Sequence, residues 1–141
     1  MGDKFELKPL TREELADLVE ELDAIRGRHT ELVTVYVPVG ANLNVVVDQL
    51  EGEKSTARNI KSKTTQKNVI EALERIMRNL RNLNQSTPKN GLAVFSGNVS
   101  EVEGQEDMRI WMIQPPEECW ARLYRCDQVF ILDPLKEMLE N

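Results

Sequence analysis

Seven apolar residues, Val69, Ile70, Leu73, Ile76, Met77, Leu80 and Leu83, recur at intervals of three and four. Glu71, Glu74, Arg75, Arg78 and Arg81 fall mostly off that stripe. Only an α-helix gathers such positions onto one face, and a face this long must be buried against something else. The stripe therefore reads as core and not as a site. Glu71 and Arg75, like Glu74 and Arg78, have the four-residue spacing that favours ion pairs along a helix.

The other elements follow from local chemistry. Leu10-Thr11-Arg12-Glu13-Glu14-Leu15 starts a helix: Thr11 caps the third helical amide, Glu14 reaches back, and Leu10 staples onto Leu15. Apolar positions 15, 18, 19, 22 and 25 continue the stripe, and Gly27 stops it. Glu31 to Val37 is a β-branched run closed by Pro38 and Gly40, a strand. Val45-Val46-Val47 suits a strand too, but Leu43, Val46, Val47 and Leu50 follow the possible cap Asn42 at helical spacing. A short helix ending at Gly52 is expected there, with a polar segment from Glu53 to Thr65 behind it. Asn84 to Asn90 is turn chemistry. Leu92–Phe95, Met108–Gln114 and Ala121–Cys126 read as further strands, with an acidic loop from Gly97 to Asp107. Pro115-Pro116 breaks the second of these strands, and a last helix begins near Pro134. That order predicts an α/β sandwich: one sheet with helices packed on it. The 141 residues suit a single domain, and there is no internal repeat, low-complexity stretch or linker.

Most reaction chemistries find no support. The sequence has no G-x-x-x-x-G-K-[ST] or G-x-G-x-x-G phosphate loop and no G-x-S-x-G elbow. His29 is the lone histidine and reads as a loop residue. Cys126 lies between Arg125 and Asp127, whose effects on a thiolate oppose each other, so a structural thiol is expected. Two cysteines and one histidine do not close a four-ligand zinc shell, and free thiols are the default. No metal, cofactor or catalytic residue is expected. No apolar run approaches the ~20 residues that cross a bilayer, and no signal peptide is evident. A cytoplasmic monomer without membrane contact is the economical expectation.

The net charge of −6 argues at first against a nucleic-acid partner. Its distribution is less adverse. Between Lys54 and Ile70 stand Lys54, Arg58, Lys61, Lys63 and Lys67 with no acidic residue. Such an island on an acidic body binds phosphate locally; a merely solvated helix end accounts for it equally well. The polar segment also holds Glu53, Thr56, Asn59 and Ser62 around a lone apolar Ile60. If the flanking helices pack antiparallel, it becomes an exposed tip whose amides, hydroxyls and carboxylate match the edges of single-stranded bases. On the residues alone, an ordinary interhelical loop is the simpler reading.

Two motifs alter that weighing. Asn59-Ile60-Lys61-Ser62 resembles the NIKS signature of archaeal and eukaryotic class-one peptide chain release factors, and Glu53, Thr56 and Ala57 precede it as in that family. Tyr124-Arg125-Cys126-Asp127-Gln128-Val129-Phe130 resembles the family's Tyr-x-Cys-x-x-x-Phe motif, in the right order roughly sixty residues on. Gly27–Pro38 and Pro88–Gly97 are similar to the family's amino-terminal domain as well, so the resemblance covers Leu10 to Leu139.

The resemblance implies a small, mainly antiparallel sheet of about four strands and a protruding helical hairpin that bears the tetrapeptide. It implies recognition of UAA, UAG or UGA in the ribosomal A site, with mRNA and small-subunit rRNA as partners and a translational GTPase as partner of the full-length factor. Asn59, Ile60 and Lys61 would serve the first-position uridine, and Glu53, Tyr124 and Cys126 the purines. Thr56, Ser62 and Phe130 would shape the pocket. Where many eukaryotic members have Gly-Thr-Ser, this chain has His29-Thr30-Glu31; Thr30 alone carries over, and the difference suits an archaeal-type member. The Gly-Gly-Gln motif of the hydrolytic domain is absent from the sequence. Recognition without hydrolysis is thus expected of residues 1–141. A ribosome-rescue domain is disfavoured because those relatives generally lack both motifs. A small interaction domain or enzyme using another surface is the remaining alternative.

Overall fold

Helices cover both faces of a four-stranded sheet in the computed structural model, which describes residues 3–83 and 86–140. In chain order the elements are α1 (Arg12–Asp23), β1 (Leu32–Val37), α2 (Leu43–Ala57), α3 (Lys63–Arg81), β2 (Leu92–Asn98), β3 (Met108–Ile113), β4 (Leu123–Asp127) and α4 (Asp133–Glu140). The strands lie in the order β3-β2-β1-β4 and every neighbouring pair is antiparallel. Every residue of the two central strands is buried. Their β-branched and aromatic runs are what a strand covered on both sides requires.

Alternation along each strand divides the interior into two cores. Val33, Val35, Val37, Leu92 and Val94 face α2 and α3, meeting the stripe of Val69, Leu73, Ile76, Met77 and Leu80. Leu32, Tyr36, Ala93 and Phe95 face the other way, towards Leu15, Val19 and Leu22 of α1 and Leu135 and Met138 of α4. At the entry to β2, Gly91 has φ of 84°, and a Cβ there would lie 2.6 Å from the Val37 carbonyl oxygen. Only glycine fits that turn.

The capping box forms as expected: Thr11 Oγ1 accepts from Glu14 N at 3.0 Å, and Glu14 Oε1 accepts from Thr11 N at 2.9 Å. Asn42 caps α2, which settles the Val45–Val47 ambiguity in favour of a helix. The expected stop at Gly52 is wrong. The α2 helix continues to Ala57, because Gly52 is exposed with open space around it while Leu50 and Ala57 on either side are buried. Two expected pairs also differ. Arg75 bonds Asp3 and the Met108 carbonyl, and Glu74 pairs with Lys54, because partners on other elements lie closer than those along the helix. Asn84 and Gln85 of the expected turn lie outside the described residues.

Candidate nucleic-acid interface

The turn between α2 and α3 is far shorter than the polar segment suggested, only Arg58 to Ser62. Backbone bonds from Asn59 N to Thr56 O and from Ile60 N to Ala57 O, both 3.0 Å, wind it tightly onto the end of α2. Ile60 packs against the core beneath, and Gln66 Nε2 donates to the Arg58 and Ile60 carbonyls at 2.7 and 3.3 Å. Ser62 Oγ accepts from Thr65 N at 3.2 Å and caps α3. The apolar member of the tetrapeptide is therefore an anchor, and its neighbours Asn59 and Lys61 are left exposed.

Tyr124 and Cys126 come to the same side of the molecule through the sheet. In the β4–β1 register Tyr124 stands opposite Val35 and Cys126 opposite Val33, and both pack on the α2/α3 core. The two-residue spacing puts them on one face, with the phenolic oxygen 3.0 Å from Cys126 Sγ. Glu53, on the last turns of α2, lines a recess of about 330 Å³ with Tyr124, Gln49 and Arg122. Burial drives the Tyr124 phenol far above its ordinary range, helped by the bond to Cys126 and the nearby charge of Glu53. Burial likewise raises the Cys126 thiol, against the hydrogen bond shared with Tyr124 and with help from Glu53. Both groups are neutral near pH 7, so this wall offers a phenol, a thiol and a carboxylate, not a thiolate nucleophile.

Other residues of the two motifs sit elsewhere. Phe130 is 3% exposed and lies in the opposite core, edge-on to Phe95 at 5.5 Å and to Trp111 at 5.7 Å. It is no pocket wall, because the sheet intervenes. Thr56 is exposed but turns back on its own helix, donating to the Gly52 carbonyl at 3.2 Å. Thr30 is exposed on the bend before β1. Of the expected purine-reading set, Glu53, Tyr124 and Cys126 are brought together.

A second, larger cavity, about 640 Å³, was not evident from the sequence. It lies between the α3 N-terminus, the bend at residues 28–31 and the acidic loop before β3, and its lining includes Ser62, Lys63, Lys67, Asn68, Glu31 and Glu106. Glu31 and Asn68 are 3% and 2% exposed, joined by a bond from Asn68 Nδ2 to Glu31 Oε2 of 3.2 Å. The available signal was that Thr65 and Asn68 extend the α3 stripe towards its N-terminus with polar residues in buried positions. The basic island is partly neutralised here. Lys54 pairs with Glu51 and Glu74, and Lys67 with Glu106 at 2.7 Å. Among the described residues Arg58, Lys61 and Lys63 have no ion-pair partner within 4.0 Å. Of the island's cations, the ones without a carboxylate partner are thus those at the turn and the start of α3. No group of three or more His, Cys, Asp or Glu among the described residues is arranged to hold a metal. None of their helices is long and apolar enough to cross a membrane.

Architecture and surface define an α/β sandwich domain that presents a cation-bearing turn and a neutral aromatic and thiol wall, both packed on the α2/α3 core. The chain belongs to the family of eRF1 domain 1, whose model matches residues 11–140. It is 59% identical over 126 residues to peptide chain release factor subunit 1 of Pyrococcus abyssi, covering 89% of this chain and 30% of that protein. The same-named protein of Methanocaldococcus jannaschii is 41% identical over 125 residues, again 88% of this chain and 30% of the relative. A crystal structure of the archaeal translation termination factor aRF1 superposes with a TM-score of 0.84 at 37% identity, covering 93% of this chain and 35% of that one. The chain therefore spans about a third of the length of the proteins it resembles. The family and the antiparallel α/β sandwich expected from the sequence both hold.

Proposed function

We propose that this domain reads stop codons in the ribosomal A site, as the recognition part of an archaeal-type release factor. The observation that carries the reading is that Ile60 of the turn, flanked by exposed Asn59 and Lys61, packs on the same core as Tyr124 and Cys126, with Glu53 lining the recess beside Tyr124. Each group has a task that its chemistry suits. Exposed Asn59 and Lys61 hydrogen-bond a uridine, whose carbonyl oxygens accept and whose ring N–H donates. Ile60 sets the turn from below, and Ser62 holds its exit through the α3 cap. The Glu53 carboxylate accepts from an exocyclic amino group of a purine. The ring of Tyr124 supports a base at ~1–3 kcal/mol. Cys126 lets a base approach closely and holds the phenol in place. Thr30 and Thr56 present free faces at the margin, and Phe130 supports the wall from behind.

Partners in this reading are the mRNA, the small-subunit rRNA around the A site and, through the rest of the factor, a translational GTPase. Arg58, Lys61 and Lys63 supply the local phosphate attraction that the net charge of −6 withholds elsewhere. Peptide hydrolysis belongs to a Gly-Gly-Gln domain outside this sequence, and the work is cytoplasmic.

The test is peptide release by a factor that carries this domain, on ribosomes programmed with UAA, UAG, UGA or a near-cognate sense codon. Release on stop codons alone is expected. Lys61→Ala abolishes most of it without changing the melting temperature, since Lys61 is exposed. Tyr124 is half-buried, so Tyr124→Phe, which keeps the ring and removes only the bond to Cys126, is the informative change there. Unchanged codon selection in both variants refutes the reading surface.

A further inference from the structure

Trp120 is 68% exposed, more than any other large apolar side chain among the described residues, and it packs on neither core. Its neighbour is fixed. Cys119 N donates to the Asn90 carbonyl at 3.0 Å, the Cys119 carbonyl accepts from Val39 N at 3.1 Å, and the Cys119 side chain is buried. Trp120, next along, stands out to solvent. It borders a cavity of about 390 Å³ with Pro134 and Met138 of α4 and three carboxylates, Glu117, Glu118 and Glu137. Among the described residues none of the three has an ion-pair partner within 4.0 Å. Cations of the surrounding elements are engaged elsewhere. Lys136 pairs with Asp23 at 3.2 Å, Arg12 donates to the Met138 and Leu139 carbonyls, and Arg122 lines the Glu53 recess. The face of an indole attracts a cation, and here unpaired carboxylates flank it. A guanidinium suits both, since it stacks on an aromatic ring and donates to a carboxylate through two bonds, which a compact ammonium does not. Pro134 and Met138 receive its aliphatic stem. RNA phosphates and anionic lipid are repelled by three like charges. A metal ion is a poor fit, because the carboxylates do not converge on one point.

We infer that this face docks an arginine-bearing segment of a partner protein, which stacks a guanidinium on Trp120 and pairs it with the flanking carboxylates. The site belongs to the α1/α4 side of the sheet, with Cys119 and Met138, whereas Ile60 of the turn packs on the α2/α3 side. It is independent of codon reading, and both sides of the domain can be occupied at once.

The experiment titrates this chain into a fluorescein-labelled peptide of two arginines spaced by glycines, and into its lysine counterpart, with binding read by anisotropy at low salt. The arginine peptide binds more tightly than the lysine one. Trp120→Ser weakens it by about two- to fivefold, the worth of a cation over an exposed indole, and Trp120→Phe recovers part of the loss. Glu137→Gln weakens it as well. Glu101→Gln removes the same charge from the exposed loop before β3 and leaves binding unchanged. Trp120 and Glu137 are both exposed, so these variants keep the melting temperature of the unaltered chain. The inference is overturned if the two peptides bind alike, if Trp120→Ser binds as the unaltered chain does, or if Glu101→Gln weakens binding as much as Glu137→Gln, which is attraction by net charge alone. Dimers of the chain that Trp120→Ser dissociates in sedimentation also overturn it, by assigning the face to a second copy. So does binding by the domain that disappears in a release factor carrying it, because the factor's own chain then covers the face.

Discussion

Replacing Gly52 by alanine tests the least expected feature of the fold, the passage of α2 through a glycine. A glycine inside a helix is less favourable than alanine by about 0.8–1.0 kcal/mol, chiefly because its unfolded backbone is freer. Nothing lies within 4 Å of a Cβ built at Gly52, and its φ is not among the positive values, so the folded state imposes no opposing strain. The Thr56 hydroxyl bonds the Gly52 carbonyl, which the substitution leaves in place. Gly52→Ala therefore stabilises the domain by about 0.5–1 kcal/mol, or roughly 2–4 °C in melting temperature for a chain of this size. Urea denaturation followed by circular dichroism measures it, with the midpoint rising and the slope unchanged. A lower midpoint refutes the reasoning. It would mean that residues 53–57 are not helical in solution and that the tip is the longer loop the sequence suggested.

Three further outcomes follow from the geometry. Ser62→Ala removes the α3 cap and costs about 0.5–1 kcal/mol in the same assay, whereas Ser62→Thr recovers most of it; equal midpoints for all three proteins would show that the cap contributes nothing. Phe130→Ala opens a hole in the core behind β4 and costs about 3–5 kcal/mol; a melt close to that of the unaltered chain would place Phe130 at the surface. Asp3 is held at about 2, below its ordinary 3.8, mainly by its hydrogen bond to Arg75. Its stabilising effect is therefore complete above about pH 4 and disappears as the pH falls from there towards 2. It is worth about 1 kcal/mol once solvent screening is allowed for. Asp3→Asn should flatten the acid limb of the stability profile by that amount, and an unaltered limb counts against the pair.

Elements whose evidence is local were legible in the sequence. The Thr11 box, the β-branched run ending at Val37 and the α3 stripe each report an interaction within a few residues. Gly52 misled because helix propensity is a weak prior that packing overrides, and the packing of Leu50 and Ala57 is tertiary. Glu31 and Asn68, 37 residues apart, meet only once β1 and α3 are stacked, so their pairing could not be read beforehand. Phe130 shows the opposite limit. It lies in the same short motif as Tyr124 and Cys126, yet the chain leaves β4 between them and carries it to the other side of the sheet. Membership in one motif does not entail membership in one pocket.

The anchoring of Ile60 beneath two exposed neighbours has a consequence for how such a domain can change over generations. Positions 59 and 61 are free of the core, so exchanges there leave stability within about ±0.5 kcal/mol, while position 60 is constrained by what it packs against. Variation in what the turn presents to its surroundings is thereby separated from variation in the scaffold. Under the reading proposed above, the contacts to the uridine can therefore change one side chain at a time, without first acquiring compensating mutations in the interior.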